Sequence, residues 1–386
     1  MKASPMLMAP AGSKANNRFA FDLYARLAEA SPGENLCFSP FSISAALSML
    51  HAGARGETAR EIAAVLRGDP STKIEPARRQ DAYGQPISDD TQPFRMANAL
   101  WAHDGYPIRA EYASLLRERH GAEIRGVDFE RDGEPTRRII NDWVSRKTNA
   151  RIPMLLQHAL DPSTRLILTN AVHFLARWRG AFDRALTKRQ PFHLESGATT
   201  DVWMMHKQFY ARYAEGDGFR SAAIEYENSA RMWIVLPDEG RSLAEVEASL
   251  SADELTAAWS AADHGQEVYL WLPRFHVRAR FELAPALAAL GMQTVFGARA
   301  DLSGMHEPHP DPLILSAVVH EAFTDVNEER TEAAAATAIV GRGGKGGSDP
   351  SQPVEFRCDR PFLFFIRDAM PGAILFMGRL NDPTKD

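Results

Sequence analysis

Thr331-Glu332-Ala333-Ala334-Ala335-Ala336-Thr337-Ala338-Ile339-Val340 is the stretch on which the reading of this chain turns. Four successive alanines favour a helix by intrinsic propensity. Taken with a period of two, Thr331, Ala333, Ala335, Thr337 and Ile339 instead form one narrow face, small enough to slide between two existing strands without colliding with a packed interior. Both readings fit the letters. The residues that follow, Gly341-Arg342-Gly343-Gly344-Lys345-Gly346-Gly347-Ser348-Asp349-Pro350, set a lysine among glycines, as phosphate-cradling loops do. That motif needs Ser or Thr after the lysine and then a helix whose amino terminus holds the anion. Here Gly346 and Gly347 follow Lys345, and Pro350 and Pro353 block a helix, so an exposed flexible loop is the better reading.

Upstream of this stretch, apolar residues recur at helical spacing over residues 19–30 (Phe19, Leu23, Leu27), and Ser31-Pro32-Gly33 stops the pattern. The same signal returns over 42–50, after Ser39-Pro40, and over 58–66, with Ile62, Val65 and Leu66 as its stripe. Residues 67–93 are polar and rich in Pro, Gly and Asp, which predicts a surface insertion. Residues 94–101 read as a strand, 138–149 as a helix, and 166–174 as the continuous apolar run of a buried central strand. Further strands are predicted at 230–237, 267–272 and 361–366. Helices crowd the first half and strands the second, which argues for an α+β fold over regular βαβ alternation.

With 386 residues and 45% hydrophobic content, the chain can bury more than one simple core. A net charge of -6 supplies no global basic field for nucleic acid or an anionic membrane, and no apolar run approaches the ~20 residues that span a bilayer. Arg67, Lys73, Arg78 and Arg79 are too sparse and too mixed with acids to form a polyanion site. Residues 1–17 make a poor secretory signal, so the expected location is cytoplasmic, or that of a mature secreted form whose leader has been removed. Two cysteines, Cys37 and Cys358, exclude a disulfide framework and a cysteine-built zinc site, and Cys37 sits in an apolar run as a buried thiol would. His306, Glu307 and His309 could be drawn as metal ligands, but Pro308, Pro310 and Pro312 break any helix that would align them, so a solvated loop is expected. No Gly-x-Ser-x-Gly turn is present, and no metal, cofactor or enzyme active site is expected. His320, at the end of the apolar run 313–319, reads as a hydrogen-bonded core histidine.

Val326-Asn327-Glu328-Glu329-Arg330-Thr331-Glu332 followed by Ala333 to Ala338 resembles the reactive-loop hinge of the serpins, with Arg330 standing where that family has Gly. Asn35-Leu36-Cys37-Phe38-Ser39-Pro40-Phe41-Ser42-Ile43-Ser44 resembles another family signature, as do Thr169-Asn170-Ala171-Val172-His173-Phe174 with Trp178, Leu236-Pro237-Asp238 and the closing run from Asp359 to Arg379. The matches run in order along nearly the whole chain.

The resemblance implies one domain over residues 1–386, with residues 1–17 a flexible extension and 328–350 the hinge and reactive loop. It implies three β-sheets, about eight or nine helices and a metastable native state. It also implies inhibition of serine proteases by a suicide-substrate route, in which the cut loop enters the large sheet and carries the protease along as an acyl-enzyme. The implied hinge is Glu328, Glu329, Arg330, Thr331, Glu332, Ala333, Ala334, Ala335, Ala336 and Thr337. Ser42, Asn170 and His320 match a buried polar cluster that holds the central strands together. Family spacing from Glu328 puts the reactive bond between Gly344 and Lys345, with Arg342, Gly343 and Gly346 as alternates. Gly344 offers a specificity pocket nothing to fill, whereas Arg342 and Lys345 are the long side chains there, which favours a trypsin-like partner, cutting after one of those two instead, over elastase-like or subtilisin-like ones. The expected protein is a monomer with no nucleic-acid or membrane partner. The alternative is a non-inhibitory member: a protease substrate, ligand carrier or chaperone.

Overall fold

The computed structural model describes residues 11–68, 70, 94–131, 133–331, 353–368 and 372–385. Its α-helices are α1 (Ala11–Ala30), α2 (Pro40–Gly53), α3 (Gly56–Val65), α4 (Ala110–Leu115), α5 (Gly133–Lys147), α6 (Leu243–Ser249), α7 (Ala252–Ala261) and α8 (Ala284–Ala289). In chain order the strands begin with β1 (Leu36–Phe38), β2 (Phe94–His103), β3 (Glu123–Val127), β4 (Leu166–Phe174), β5 (Ala176–Arg177), β6 (Lys188–His193), β7 (Thr199–Gly216) and β8 (Phe219–Glu225). They continue with β9 (Arg231–Pro237), β10 (Asp263–Pro273), β11 (Phe275–Glu282), β12 (Leu315–Val326), β13 (Arg330–Thr331), β14 (Val354–Arg357), β15 (Phe362–Arg367) and β16 (Ile374–Leu380). Among the described residues no helix is long and apolar enough to cross a membrane.

These strands make three sheets. The largest runs β1-β16-β15-β9-β8-β7-β10-β14, with β6 beside β7; a five-stranded sheet runs β11-β12-β4-β2-β3, and β13 pairs with β5 alone. The centre of the five-stranded sheet is the parallel pair β4 and β12, in which Asn170 lies opposite His320. Every residue of β4 is buried, because both faces of the sheet are covered. Its alternation sends Leu166 and Leu168 into the core shared with α1 and α2, and Val172 and Phe174 toward the large sheet. Ile167 and Ala171 point the other way, into a third cluster with Trp101 and the α5 residues Ile140, Trp143 and Val144.

Local chemistry sets the helix ends. Ser39 caps α2 by accepting from the Ser42 amide, with Pro40 in the first turn. The left-handed residues Asn149 (φ 51) and Ala150 (φ 58) follow α5, which therefore lies earlier than the predicted 138–149.

The first helix begins at Ala11, not residue 19, so residues 11–17 are not the expected flexible extension. Ser13, Asn16 and Asn17 are polar yet buried. The Asn16 amide donates to Ile374 O, while Asn17 donates to Gly372 O and accepts from the Ile374 amide. Hydrophobic periodicity has no means of registering such residues. The long strand β7 also escaped prediction, since its exposed positions mix aromatic, charged and amide side chains. Most of the predicted surface insertion at 67–93 lies outside the described residues.

Cys37 and Cys358 are both buried free thiols, and burial pushes their pKa up, away from reactivity. His306 corrects the sequence expectation of a solvated loop: it is 7% exposed and packs edge-on against Tyr106. Among the described residues no group of three metal-capable side chains converges.

Candidate functional site

Glu328, the first residue after β12 to carry the predicted hinge, is only 2% exposed although it is a carboxylate. A buried charge requires partners. Arg274, between β10 and β11, donates to Glu328 Oε1 through Nε at 2.8 Å and also through Nη2, and Thr187 Oγ1 donates to the same oxygen at 2.6 Å. Burial pushes the Glu328 carboxyl up, but the hydrogen bonds from Arg274 and Thr187 outweigh it and hold the group below its usual range.

The segment from residue 178 to 187 forms a strap against this hinge. The Phe182 amide donates to Glu328 O at 2.7 Å, the Trp178 amide to Glu329 O at 3.2 Å, and Trp178 Nε1 to Asn327 O at 2.8 Å. Arg184 pairs with Glu329 at 2.7 Å. Just beyond, the backbones of Arg330 and Thr331 pair with Arg177 and Ala176. The strap is itself held by Lys207, whose ammonium donates to Gly180 O and lies 5.6 and 5.2 Å from the ring centroids of Phe182 and Phe209. Burial lowers that amine to about 8.

Beneath the hinge, the structure brings Ser42, Asn170 and His320 together. The Ser39 amide donates to His320 Nε2 at 3.2 Å, so Nε2 is the unprotonated nitrogen and Nδ1–H donates to Asn170 Oδ1. Ser42 Oγ donates to the same oxygen at 2.8 Å, and Asn170 Nδ2 donates to Ser42 O at 3.1 Å and to Asn98 Oδ1. The cluster thus ties α2 to β2, β4 and β12 across the parallel seam. Burial lowers the His320 imidazole to about 3, which keeps it neutral and preserves its acceptor.

On the opposite face of β4, His173 is fully buried, and neither ring nitrogen has a partner among the described residues. Burial first, then Arg95 and Arg151, lowers it to about 4.

Of the predicted hinge, Glu328, Glu329, Arg330 and Thr331 are described. Glu332, Ala333, Ala334, Ala335, Ala336 and Thr337 lie outside the described residues, as do Arg342, Gly343, Gly344, Lys345 and Gly346. The sequence reading missed Thr187, Arg274 and Asn98. Asn98 carried a signal, as a lone polar residue in the apolar run Met96-Ala97-Asn98-Ala99-Leu100. Thr187 and Arg274 carried none, since their partner lies 141 and 54 positions away.

A two-faced central sheet, helices behind it, a larger second sheet and a segment leaving one of two parallel central strands define an α+β architecture. The chain belongs to the serpin family: the family model described as Serpin (serine protease inhibitor) matches residues 14–383. The leukocyte elastase inhibitor of Sus scrofa is 38% identical over 384 residues, spanning 96% of this chain and 99% of that protein. An uncharacterized serpin-like protein of Methanosarcina mazei is 34% identical, spanning 96% and 87%. Among solved structures, a thyroxine-binding globulin complex with thyroxine superposes with a TM-score of 0.81 at 28% identity, over 97% of this chain and 99% of that one.

Proposed function

We propose that this chain inhibits serine proteases as a suicide substrate. One observation carries the reading: β4 and β12 are adjacent and parallel, and the hinge leaves the end of β12. A segment returning from that end runs antiparallel to both neighbours, so insertion replaces one parallel contact with two antiparallel ones, the slightly stronger type. Residues 331–339 match the 9-residue length of β4 and offer the small-residue face described above. Nine or ten new ladder bonds at about 1 kcal/mol each would rival the whole stability of an ordinary domain. That work is available to pull apart the geometry of a protease held on the loop as an acyl-enzyme, which leaves the ester unhydrolysed.

The reactive bond is placed at Gly344-Lys345, with Arg342, Gly343 and Gly346 as alternates, and the partner is a serine protease. A trypsin-like enzyme, favoured by the long side chains of Arg342 and Lys345, would cut after one of these two rather than after Gly344; the elastase inhibitors among the relatives keep an elastase-like one as the alternative. The cluster of Ser42, Asn170 and His320 acts as the latch of the seam, and the hinge anchor of Glu328 and Arg274 holds the loop out until cleavage. The chain itself is not an enzyme in this reading.

Arg330 favours a second reading. It stands at the turn into the sheet where glycine would ease the bend, and slow insertion lets the acyl-enzyme hydrolyse, which would make the chain a substrate or a ligand carrier. The deciding experiment incubates the protein with trypsin-like, elastase-like and subtilisin-like enzymes. A denaturant-resistant adduct on a gel, with a cut inside residues 341–347 by mass spectrometry, is expected. Clipping without an adduct and without a gain in thermal stability refutes the inhibitory reading.

A further inference from the structure

A cleft of about 480 Å³ opens at the foot of the seam between β4 and β12, at the opposite end from the hinge. Its volume falls in the range that small-molecule sites occupy. Both strands of the seam contribute to it: Arg165 stands just before β4, and Ile314, Leu315 and Ser316 lie at the start of β12. The far wall is α8, whose short Ala284 and Ala288 side chains stand back and leave the room, with Phe296 beside them. Phe296 and Ile314 are half-buried, so apolar surface remains for a ligand to cover.

The strand register breaks at this point. Leu315 lies opposite Leu166 and Ala317 opposite Ile167, so Ser316 is an extra residue in the ladder. Such a bulge re-aims a side chain. Ser316 Oγ accepts from the Arg165 amide at 2.9 Å, a bond that crosses the seam, and its own O–H has no acceptor among the described residues. Arg165 is the one charge among the lining residues. Its Nη1 donates to Pro162 O and Thr164 O at 3.0 Å, which fixes the guanidinium at the rim. Its Nη2 meets Glu130 at 3.3 Å, a long pair with a carboxylate that is 55% exposed. Apolar walls with one cation and a spare hydroxyl donor suit a carboxylate on an apolar body.

We propose that this cleft is a binding site for a small apolar carboxylate, an aromatic or short-chain acid, with its charged end on Arg165 and Ser316 and its body between α8, Phe296 and Ile314. Such a ligand touches both strands of the seam. A strand seated between β4 and β12 doubles their spacing from about 4.8 Å to about 9.6 Å, breaks the bond from Arg165 to Ser316 and takes the two halves of the site apart. The ligand therefore belongs to the uncleaved state, and by linkage it holds that state closed. This consequence, unlike the binding itself, rests on the inhibitory reading above.

The test titrates the full, uncleaved chain with 2-naphthoate and with its neutral counterpart 2-naphthamide, by calorimetry. Saturable binding of naphthoate at a single site is expected, with naphthamide weaker by about fivefold or more. Ala288→Phe fills the cleft from α8 and should weaken naphthoate by about tenfold or more, and Ser316→Ala by about threefold. Glu130→Gln releases the guanidinium and should tighten naphthoate by about twofold to threefold, a gain that no general loosening of the fold produces. Melting curves without ligand verify that each variant is folded. Naphthoate should also slow conversion of uncleaved protein to the heat-resistant form by about threefold, and bind the loop-cleaved, heat-resistant form about tenfold more weakly. Non-saturable binding, equal affinity for naphthamide, or an affinity unmoved by Ala288→Phe and Glu130→Gln overturns the site. Equal affinity for the uncleaved and heat-resistant forms overturns its link to the seam. Cleavage that brings no heat resistance defeats the inhibitory reading alone, because the titrations still decide the site.

Discussion

Mild acid should loosen the seam of the five-stranded sheet, and the two buried histidines set by how much. His320 is held neutral, with its pKa lowered to about 3 by burial, and His173 is lowered to about 4 by burial and by Arg95 and Arg151. In the unfolded chain both return to near 6.5. Both native values are depressed, so the unfolded state binds the extra protons first: stability is full above about pH 6.5 and falls as the pH drops toward each native value. At about pH 5 each group has lost about 1.5 units of its window, or about 2 kcal/mol, for a combined loss of about 4 kcal/mol relative to neutral pH. The carboxylates with lowered values, Glu328 and Asp161 among them, titrate below this window and do not contribute to it. Glu321, raised by burial, acts in the opposite sense and trims the effect. The assay is denaturant unfolding of the uncleaved protein at about pH 7 and about pH 5, on the wild type, His320→Gln and His173→Phe. Each variant should lose about 2 kcal/mol less than the wild type between the two conditions. Should both variants fall by as much as the wild type, the depressed imidazoles are not the cause and the neutral-His320 argument fails.

Arg274→Met removes the cation that satisfies Glu328. Arg274 is 39% exposed, which screens the pair, so the loss is placed at the low end for a broken charged partner, about 1.5–3 kcal/mol. Faster conversion of uncleaved protein to a heat-resistant, loop-inserted form is the expected readout, and an unchanged conversion rate would count against the anchor. Gly378→Ala places a methyl 2.2 Å from Leu36 O and 2.5 Å from the Phe364 ring, so β1 and β16 cannot keep their register. Circular dichroism and solubility should show a misfolded chain; a normally folded one would mean that the strands can part without penalty.

Sequence reading reached furthest where burial alone decides the residue. The run 166–174 could be read as a buried strand because β4 is apolar on both faces, and the helix at 42–50 because its cap and proline are local. It failed at α1, where Asn16 and Asn17 are buried by bonds to a strand more than 350 positions away. It also failed at the hinge, where Thr187 and Arg274 converge on Glu328 from two unrelated connections. Ser42, Asn170 and His320 came from family resemblance, and only the register of β4 with β12 put the last two opposite each other.

The order of hydrophobic and polar residues settled the α+β class, the central strand, and a small-residue segment fit either for helix or for a sheet interior. What the letters left open was which distant side chains share each buried charge and each buried proton. Periodicity records exposure along one element, whereas a hydrogen bond between elements depends on their register and approach, and those exist only once the chain has packed. For that reason the neutral His320 and the anchored Glu328 are properties of the folded protein.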